Sequence, residues 1–307
     1  MRGKYKAIRH NSRFQELFLW IILFLGIGFF ALWWVFSPYK TSVPERWTMI
    51  TCDVGQGDMA LLRTGENSLV IIDVGPPEGK PQRCLDLVPD FTVQAVFLTH
   101  PHQDHIGGLK ETLANLAQRG QQPQIVTSTT WDPSSDLSDI ITFPIHQAQA
   151  GEKLQLGSDA TFAVLHPSSH PGPVNPTSAE ENNDSLVLWA ELTSSAHARP
   201  LSVLLTGDIE KEAVDRIVRA YPELNVDILK VPHHGSRSSG TKLTTSFHPR
   251  IATISAAYQN SYGHPHPEIL DALQQQKTLT VQTSQCGHIV LSHFADEHRV
   301  DLNCLKP

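Results

Sequence analysis

The stretch Leu98-Thr99-His100-Pro101-His102-Gln103-Asp104-His105-Ile106-Gly107-Gly108 decides how the rest of the chain is read. Three histidines and one aspartate fall within six positions, directly after the largely apolar run Val93 to Leu98. Such a run reads as a buried strand, and a turn at its end lets neighbouring side chains converge instead of alternating between two faces. Imidazole and carboxylate together suit Zn²⁺, Mn²⁺ or Fe²⁺. Pro101 stiffens the turn, Gly107 and Gly108 let backbone pass closely, and a helix is expected from Leu109 to Leu116. A solvated loop rich in histidine is the competing reading; four candidate ligands at this spacing favour a metal site.

His-x-His-x-Asp-His after a hydrophobic strand, followed by Gly-Gly, resembles the signature of the metallo-β-lactamase superfamily. Five further stretches narrow it: Asp53-Val54-Gly55-Gln56-Gly57-Asp58, Ile71-Ile72-Asp73-Val74-Gly75, Leu205-Thr206-Gly207-Asp208, Val231-Pro232-His233-His234-Gly235-Ser236 and Tyr262-Gly263-His264-Pro265. In that order, from Trp47 to the C-terminus, they resemble the extracellular hydrolase-like domain of ComEC-type DNA-uptake channels. The resemblance implies an α/β (α+β) fold, a four-layer αββα metallo-β-lactamase sandwich, and divalent metal ions, two in number, Zn²⁺ or Mn²⁺. His100 and His102 would hold one ion; Asp104, His105 and His264 would hold the other, with Asp208 as the bridge. Asp104 and His234 are the implied catalytic residues, His234 being placed to protonate a leaving oxygen.

Several positions carry two readings. Asp58 either faces the site or belongs to a plain hairpin turn. Asp73 ends a buried run and either orients a ligand histidine or caps the next turn. Asp208 precedes a helix expected from Glu210 to Tyr221 and so could be an N-cap, although a carboxylate can also bridge two cations. That helix is expected to bury Ile209, Ala213, Ile217 and Ala220. Ser236 is a candidate to hold a substrate phosphate oxygen, and His233 is an additional candidate ligand. Many superfamily members place a third metal histidine where this chain has Asn183. Asn is a weak neutral ligand, so the His100–His102 position is expected to bind its ion more loosely. His166, the nearest upstream histidine, would need the loop His166–Glu181 to fold back. His288, His293 and His298 match no motif and read as structural.

Composition sets wide bounds. A chain of 307 residues with 40% hydrophobic content can bury one large core or two small ones. A formal charge of −7 argues against a broad basic nucleic-acid surface, so any DNA contact would be local to a cleft. Cys52, Cys84, Cys286 and Cys304 lack CxxC spacing and do not read as a zinc knuckle; their pairing is open.

At the N-terminus, Arg2, Lys4, Lys6, Arg9 and Arg13 precede a run from Leu17 to Phe36 that holds no charged residue and is long enough to span a bilayer. Trp33 and Trp34 sit near its far end, where interfacial aromatics are expected. No A-x-A site follows, which favours a retained anchor over a cleaved signal peptide. The expected organisation is a basic flank over 1–16, a transmembrane helix over 17–36, a linker over 37–46 and a metallo-β-lactamase-like domain over 47–307. The basic flank places that domain outside the cytoplasm, on a single-pass protein of the cell membrane.

A pair of cations suits metal-dependent hydrolysis of extracellular phosphodiesters, and the resemblance implies nucleic acid as the substrate, during DNA uptake. A teichoic acid is the alternative substrate. A degenerate metal-binding module that docks on a DNA-uptake channel protein is the non-enzymatic alternative. One apolar span replaces the family's many-helix channel, so the chain is expected to be a stand-alone relative or the separately encoded end of a split channel.

Overall fold

The computed structural model describes residues 20, 22, 43–131, 142–168, 177–193, 199–294 and 299–306. The chain divides into two compact units, Met1–Ser42 and Val43–Pro307. The expected transmembrane helix and its basic flank lie outside the described residues, Trp20 and Ile22 excepted. Among the described residues no helix is long and apolar enough to cross a membrane.

In the second unit the strands are β1 (Trp47–Thr51), β2 (Ala60–Gly65), β3 (Ser68–Ile72), β4 (Thr92–Phe97), β5 (Gln124–Ser128), β6 (Ile145–Ala148), β7 (Lys153–Leu156) and β8 (Ala160–His166). They continue with β9 (Val187–Leu192), β10 (Leu201–Leu205), β11 (Ile228–Lys230), β12 (Ile251–Ile254), β13 (Leu279–Gln282), β14 (His288–Phe294) and β15 (Arg299–Leu305). One sheet has the order β15-β14-β1-β2-β3-β4-β5-β6, and the other β13-β12-β11-β10-β9-β8-β7. In the first, β3 to β6 run parallel; in the second, β10 to β13 do.

Alternation along the strands explains the layers. Val70 and Ile72 of β3, with Ala95 and Phe97 of β4, join Phe162, Leu188, Val203 and Leu205 in the core between the sheets. Leu69 and Ile71 of β3 face the other way, against Leu109, Leu113 and Leu116 of the helix Leu109–Gln118. On the second sheet Leu204 points outward against Ala213, Val214 and Ile217 of the helix Lys211–Ala220 and Leu273 of the helix Pro267–Gln275. A period of two thus feeds an inner and an outer core from one strand, and helices close both outer faces. Each wholly buried side chain such as Leu113 contributes about 1.5–3 kcal/mol relative to exposure. The expected helix from Glu210 begins at Lys211, and Val214 takes the buried place that the sequence pattern gives Ala220, which is exposed.

The cysteines pair as Cys52–Cys84 and Cys286–Cys304. The second bridge ties the start of β14 to the end of β15. Because parallel strands run the same way, the C-terminal ends of β3, β4, β10, β11 and β12 deliver the motif residues to a common edge.

Candidate metal centre

After β4, Leu98 is held by Val126 (N to O 2.8 Å), and Thr99 O accepts from Leu186 N at 2.8 Å. The chain then turns so that His102 is the N-cap of a short helix, Gln103–Ile106, whose first turn carries Asp104 and His105. Gly57 passes directly over this turn: a Cβ there would lie 2.3 Å from the carbonyl oxygen of Asp104. The next residue, Asp58, donates its N–H to that same oxygen at 3.0 Å. A side chain at position 57 would therefore separate the two motifs.

Asp73 organises the histidines. Its Oδ1 accepts from Thr99 N and its Oδ2 from Thr99 Oγ1, each at 2.8 Å. Oδ2 also accepts from His105 Nδ1 at 2.8 Å. The Thr99 hydroxyl hydrogen is spent on Asp73, so at 3.0 Å its oxygen accepts from His100 Nδ1. Both rings thus carry a hydrogen on Nδ1 and turn Nε2 inward. Both Nε2 atoms are buried with no hydrogen-bond partner among the described residues.

Asp208 follows β10 and Gly207, and its N–H donates to Ser185 Oγ at 3.1 Å. Its Oδ1 lies 3.2 Å from His105 Nε2 and is likewise unpartnered, so the two atoms face each other without a well-directed hydrogen bond. His233 and His234 follow β11 with φ of 50° and 55°. Such left-handed non-glycine residues cost roughly 1–3 kcal/mol each and persist where the surroundings enforce them. His234 Nδ1 donates to Ser255 O at 2.9 Å, which leaves Nε2 at 3.1 Å from Asp104 Oδ2 and 3.4 Å from Asp208 Oδ2. One donor atom from each of Asp104, His105, Asp208 and His234 lies within 4.8 Å of the others.

The electrostatics follow from this crowding. Burial opposes charge on His105, yet the Asp208 and Asp73 carboxylates hold its pKa well above the usual range. Burial opposes charge on His234 too, and Asp208 and Asp58 push it up to about 10. Burial would raise Asp208, but His105 and His234 hold it well below the carboxylate range. A divalent cation between these rings and carboxylates would supply the positive charge that the buried carboxylates favour. His100, with burial and His105 against its charge, sits well below the usual range and so offers a neutral lone pair. Buried, facing, unpartnered N and O donors of this kind fit a metal.

The other expected residues are placed as follows. His264 lies one ring further out, its centroid 5.7 Å from that of His233 and 6.3 Å from that of His234. Its Nδ1 is buried and unpartnered, and burial with His234 and His233 pulls its pKa down to about 4. The geometry therefore puts His234 in the four-donor set where the sequence pattern put His264. His233 Nε2 is 3.7 Å from Asp208 Oδ2, on the rim. His102 stands edge-on beside His100, ring centroids 4.6 Å apart, and its Nε2 meets Glu181 Oε2 at 2.8 Å. Asn183 is not brought to the cluster: its Oδ1 accepts from Glu210 N and Ala213 N, at the start of the helix Lys211–Ala220. His166 meets Asn183 O at 2.7 Å and does not fold into the site. Ser236 Oγ accepts from Ser238 N at 3.3 Å, a local cap, and is buried. His288 Nδ1 accepts from Asp53 N at 3.0 Å, a structural role; His298 lies outside the described residues.

Asp58 faces the site, its Oδ1 3.4 Å from His234 Nδ1. Its Oδ2 pairs with Lys230 Nζ at 2.7 Å, with both residues buried. Lys230 escaped the sequence reading. Its signal is a lysine inside the apolar strand run Ile228-Leu229-Lys230-Val231, where a charge demands a partner.

Residues 52–181 match the metallo-beta-lactamase superfamily model. ComE operon protein 3 of Bacillus subtilis is 32% identical over 259 residues, covering 77% of this chain and 32% of that protein. Recombination protein 2 of Haemophilus influenzae is 24% identical over 282 residues, covering 90% of this chain and 32% of that protein. The chain therefore spans about a third of the length of these curated relatives. The metallo-beta-lactamase fold protein YhfI from Bacillus subtilis aligns with a TM-score of 0.50 at 12% identity, covering 76% of this chain and 95% of that one. That likeness shows the fold.

Proposed function

Because the chain carries a domain of the metallo-β-lactamase superfamily, we propose that it is a metal-dependent hydrolase of phosphodiesters, acting on nucleic acid outside the cytoplasm during DNA uptake. The observation that carries this reading is convergence: donors of Asp104, His105, Asp208 and His234 lie within 4.8 Å of one another, His105 Nε2 and Asp208 Oδ1 among them unpartnered. Divalent cations held there would lower the pKa of water and neutralise charge developing on a phosphoryl group. The chain's own groups do the rest. Asp73 fixes the His105 ring directly and the His100 ring through Thr99. Ser255 O fixes the tautomer of His234, and Asp58 faces the same nitrogen with Lys230 behind it. With His234 in the donor set, the leaving-oxygen role expected of it passes to His233, which is left-handed and partly exposed at the rim, its Nε2 3.7 Å from Asp208 Oδ2.

The setting outside the cytoplasm is supported by the two disulfides, which persist in oxidising compartments. The basic flank before the apolar run 17–36 supports a membrane anchor with the domain on the far side. The resemblance to ComEC-type domains, and a relative named Recombination protein 2, support DNA as substrate and a channel protein as partner.

One observation favours the second reading, a metal-binding module that docks without catalysis. Asn183 is committed to the backbone of the next helix. Among the described residues a second ion would thus find only His100 Nε2 and His102 Nδ1, the latter on a ring whose Nε2 meets Glu181, fewer ligands than the four-donor set. Metal content and cleavage of a single-stranded oligonucleotide, with added Mn²⁺ or Zn²⁺ and with chelator, separate the two. Metal-dependent cleavage that is lost in Asp208→Asn is expected. Full metal loading with no cleavage by any added divalent ion would leave the docking module.

A further inference from the structure

A ladder of rings runs from the protein surface into the four-donor set. Tyr262 is 69% exposed, yet its ring lies against that of His264, with centroids 5.7 Å apart and planes 26° apart. His264 in turn lies 6.3 Å from the His234 ring, again at 26°. His234 Nε2 stands 3.4 Å from Asp208 Oδ2. One face of Tyr262 is thus backed by a histidine that leads to the cluster, and the other is open.

The loop that carries the tyrosine is fixed from within. Asn260 donates from Nδ2 to Ala257 O at 3.0 Å and to His264 O at 2.6 Å, and its Oδ1 accepts from His264 N at 3.0 Å. Ala257 N donates to Gln56 Oε1 at 3.2 Å, which ties the loop to the turn that carries Asp58. An exposed tyrosine usually needs no explanation. This one is presented on a stapled loop, one ring out from the His234 ring of the donor set, with Tyr258, 74% exposed, earlier on the same loop.

We infer that Tyr262 is a specificity-determining residue whose open face stacks an unpaired nucleobase of the strand held at the cluster, further along that strand from the bound phosphodiester, so that the site selects single-stranded nucleic acid. The inference rests on the phosphodiesterase reading and supplies its substrate class. A polyol phosphate polymer has no ring to stack, and a paired base has both faces covered by its neighbours. Stacking also meets a need set by charge: with a net −7, the chain gains little from backbone electrostatics, and stacking is independent of base identity.

The test compares a labelled, phosphorothioate-linked oligothymidine with the same strand carrying abasic residues at its centre, and with its duplex. Anisotropy on the full-length, Mn²⁺-loaded protein reads binding apart from cleavage. The base-bearing single strand should bind roughly 5-fold to 150-fold more tightly than the abasic strand, the span of base–aromatic stacking. Tyr262→Ala should collapse that ratio towards one, and Tyr262→Phe should keep it. Equal binding of the two strands, a ratio unchanged in Tyr262→Ala, or preference for the duplex would overturn the inference. Cleavage of a small phosphodiester without bases is scored separately. Its presence alongside a flat anisotropy ratio would leave the hydrolase standing and remove only the stacking role.

Discussion

The carboxylate of Asp73 lies 2.8 Å from Nδ1 of His105, with both residues buried at the junction of β3 and the metal-motif turn. The same carboxylate takes two hydrogen bonds from Thr99, and so sets His100 as well. One residue orients two candidate ligands. Asp73→Ala should therefore lower metal affinity about tenfold to a hundredfold, as loss of a ligand-orienting partner does. Titration calorimetry with Mn²⁺ or Zn²⁺ checks this, and unchanged affinity would reduce Asp73 to a turn cap.

Lys230 and Asp58 form a buried pair that joins β11 of one sheet to the turn before β2 of the other. Removing one partner leaves the other charged and buried, at a cost of about 3–5 kcal/mol. Lys230→Met should lose that much stability in urea unfolding. The double variant Lys230→Met with Asp58→Asn should recover most of it, because no uncompensated charge remains.

Asn183 shows where reading by motif reaches its limit. Alignment with the superfamily pattern suggests a depleted ligand, and the structure uses its carboxamide oxygen to cap a neighbouring helix at Glu210 and Ala213. Asn183→His should thus cost about 1 kcal/mol of stability through the lost cap. It should not tighten metal binding. Tighter Mn²⁺ binding with unchanged stability would restore the ligand reading.

The difference between what was and was not legible is physical. The strands before Asp73, His100, Asp208 and His233 were legible, because continuous apolar runs ending in turn signals leave few alternatives to a buried strand. The ligand-rich turns were legible because their donors sit close in sequence. Choosing between His234 and His264 was not, since it depends on left-handed backbone at 233 and 234 and on how far a 255–266 loop reaches. Lys230 and Glu181 find their partners 172 and 79 residues away, and no local pattern encodes such distances.

His288 offers a pH test away from the cluster. Its Nδ1 must be unprotonated to accept from Asp53 N, and burial holds its pKa below the usual range, with Asp53 opposing and Arg83 assisting. Above the unfolded pKa of about 6.5 neither state binds the proton, so stability is full. Below it the unfolded chain protonates first, and stability falls with pH until the folded pKa is reached. His288→Asn keeps an acceptor that does not titrate. Relative to the wild type, this variant should gain stability as pH is lowered from neutral towards about 5. A pH-independent difference between the two would show that the folded and unfolded pKa coincide.

The last prediction concerns which histidine completes the four-donor set. His234 Nε2 is within 3.4 Å of both Asp104 and Asp208, and its Nδ1 is spent on a backbone carbonyl, so only Nε2 can serve as ligand. His264 meets the cluster through ring contact with His233 and His234, and carries an unpartnered Nδ1 one layer out. On this geometry His234→Ala should remove one equivalent of metal after dialysis. His264→Ala should retain that equivalent and weaken only a second one. Elemental analysis of both variants, alongside circular dichroism to verify folding, reads the outcome directly. A full equivalent lost from His264→Ala but not from His234→Ala would require the 255–266 loop to move inward on metal binding, and would return His264 to the ligand set.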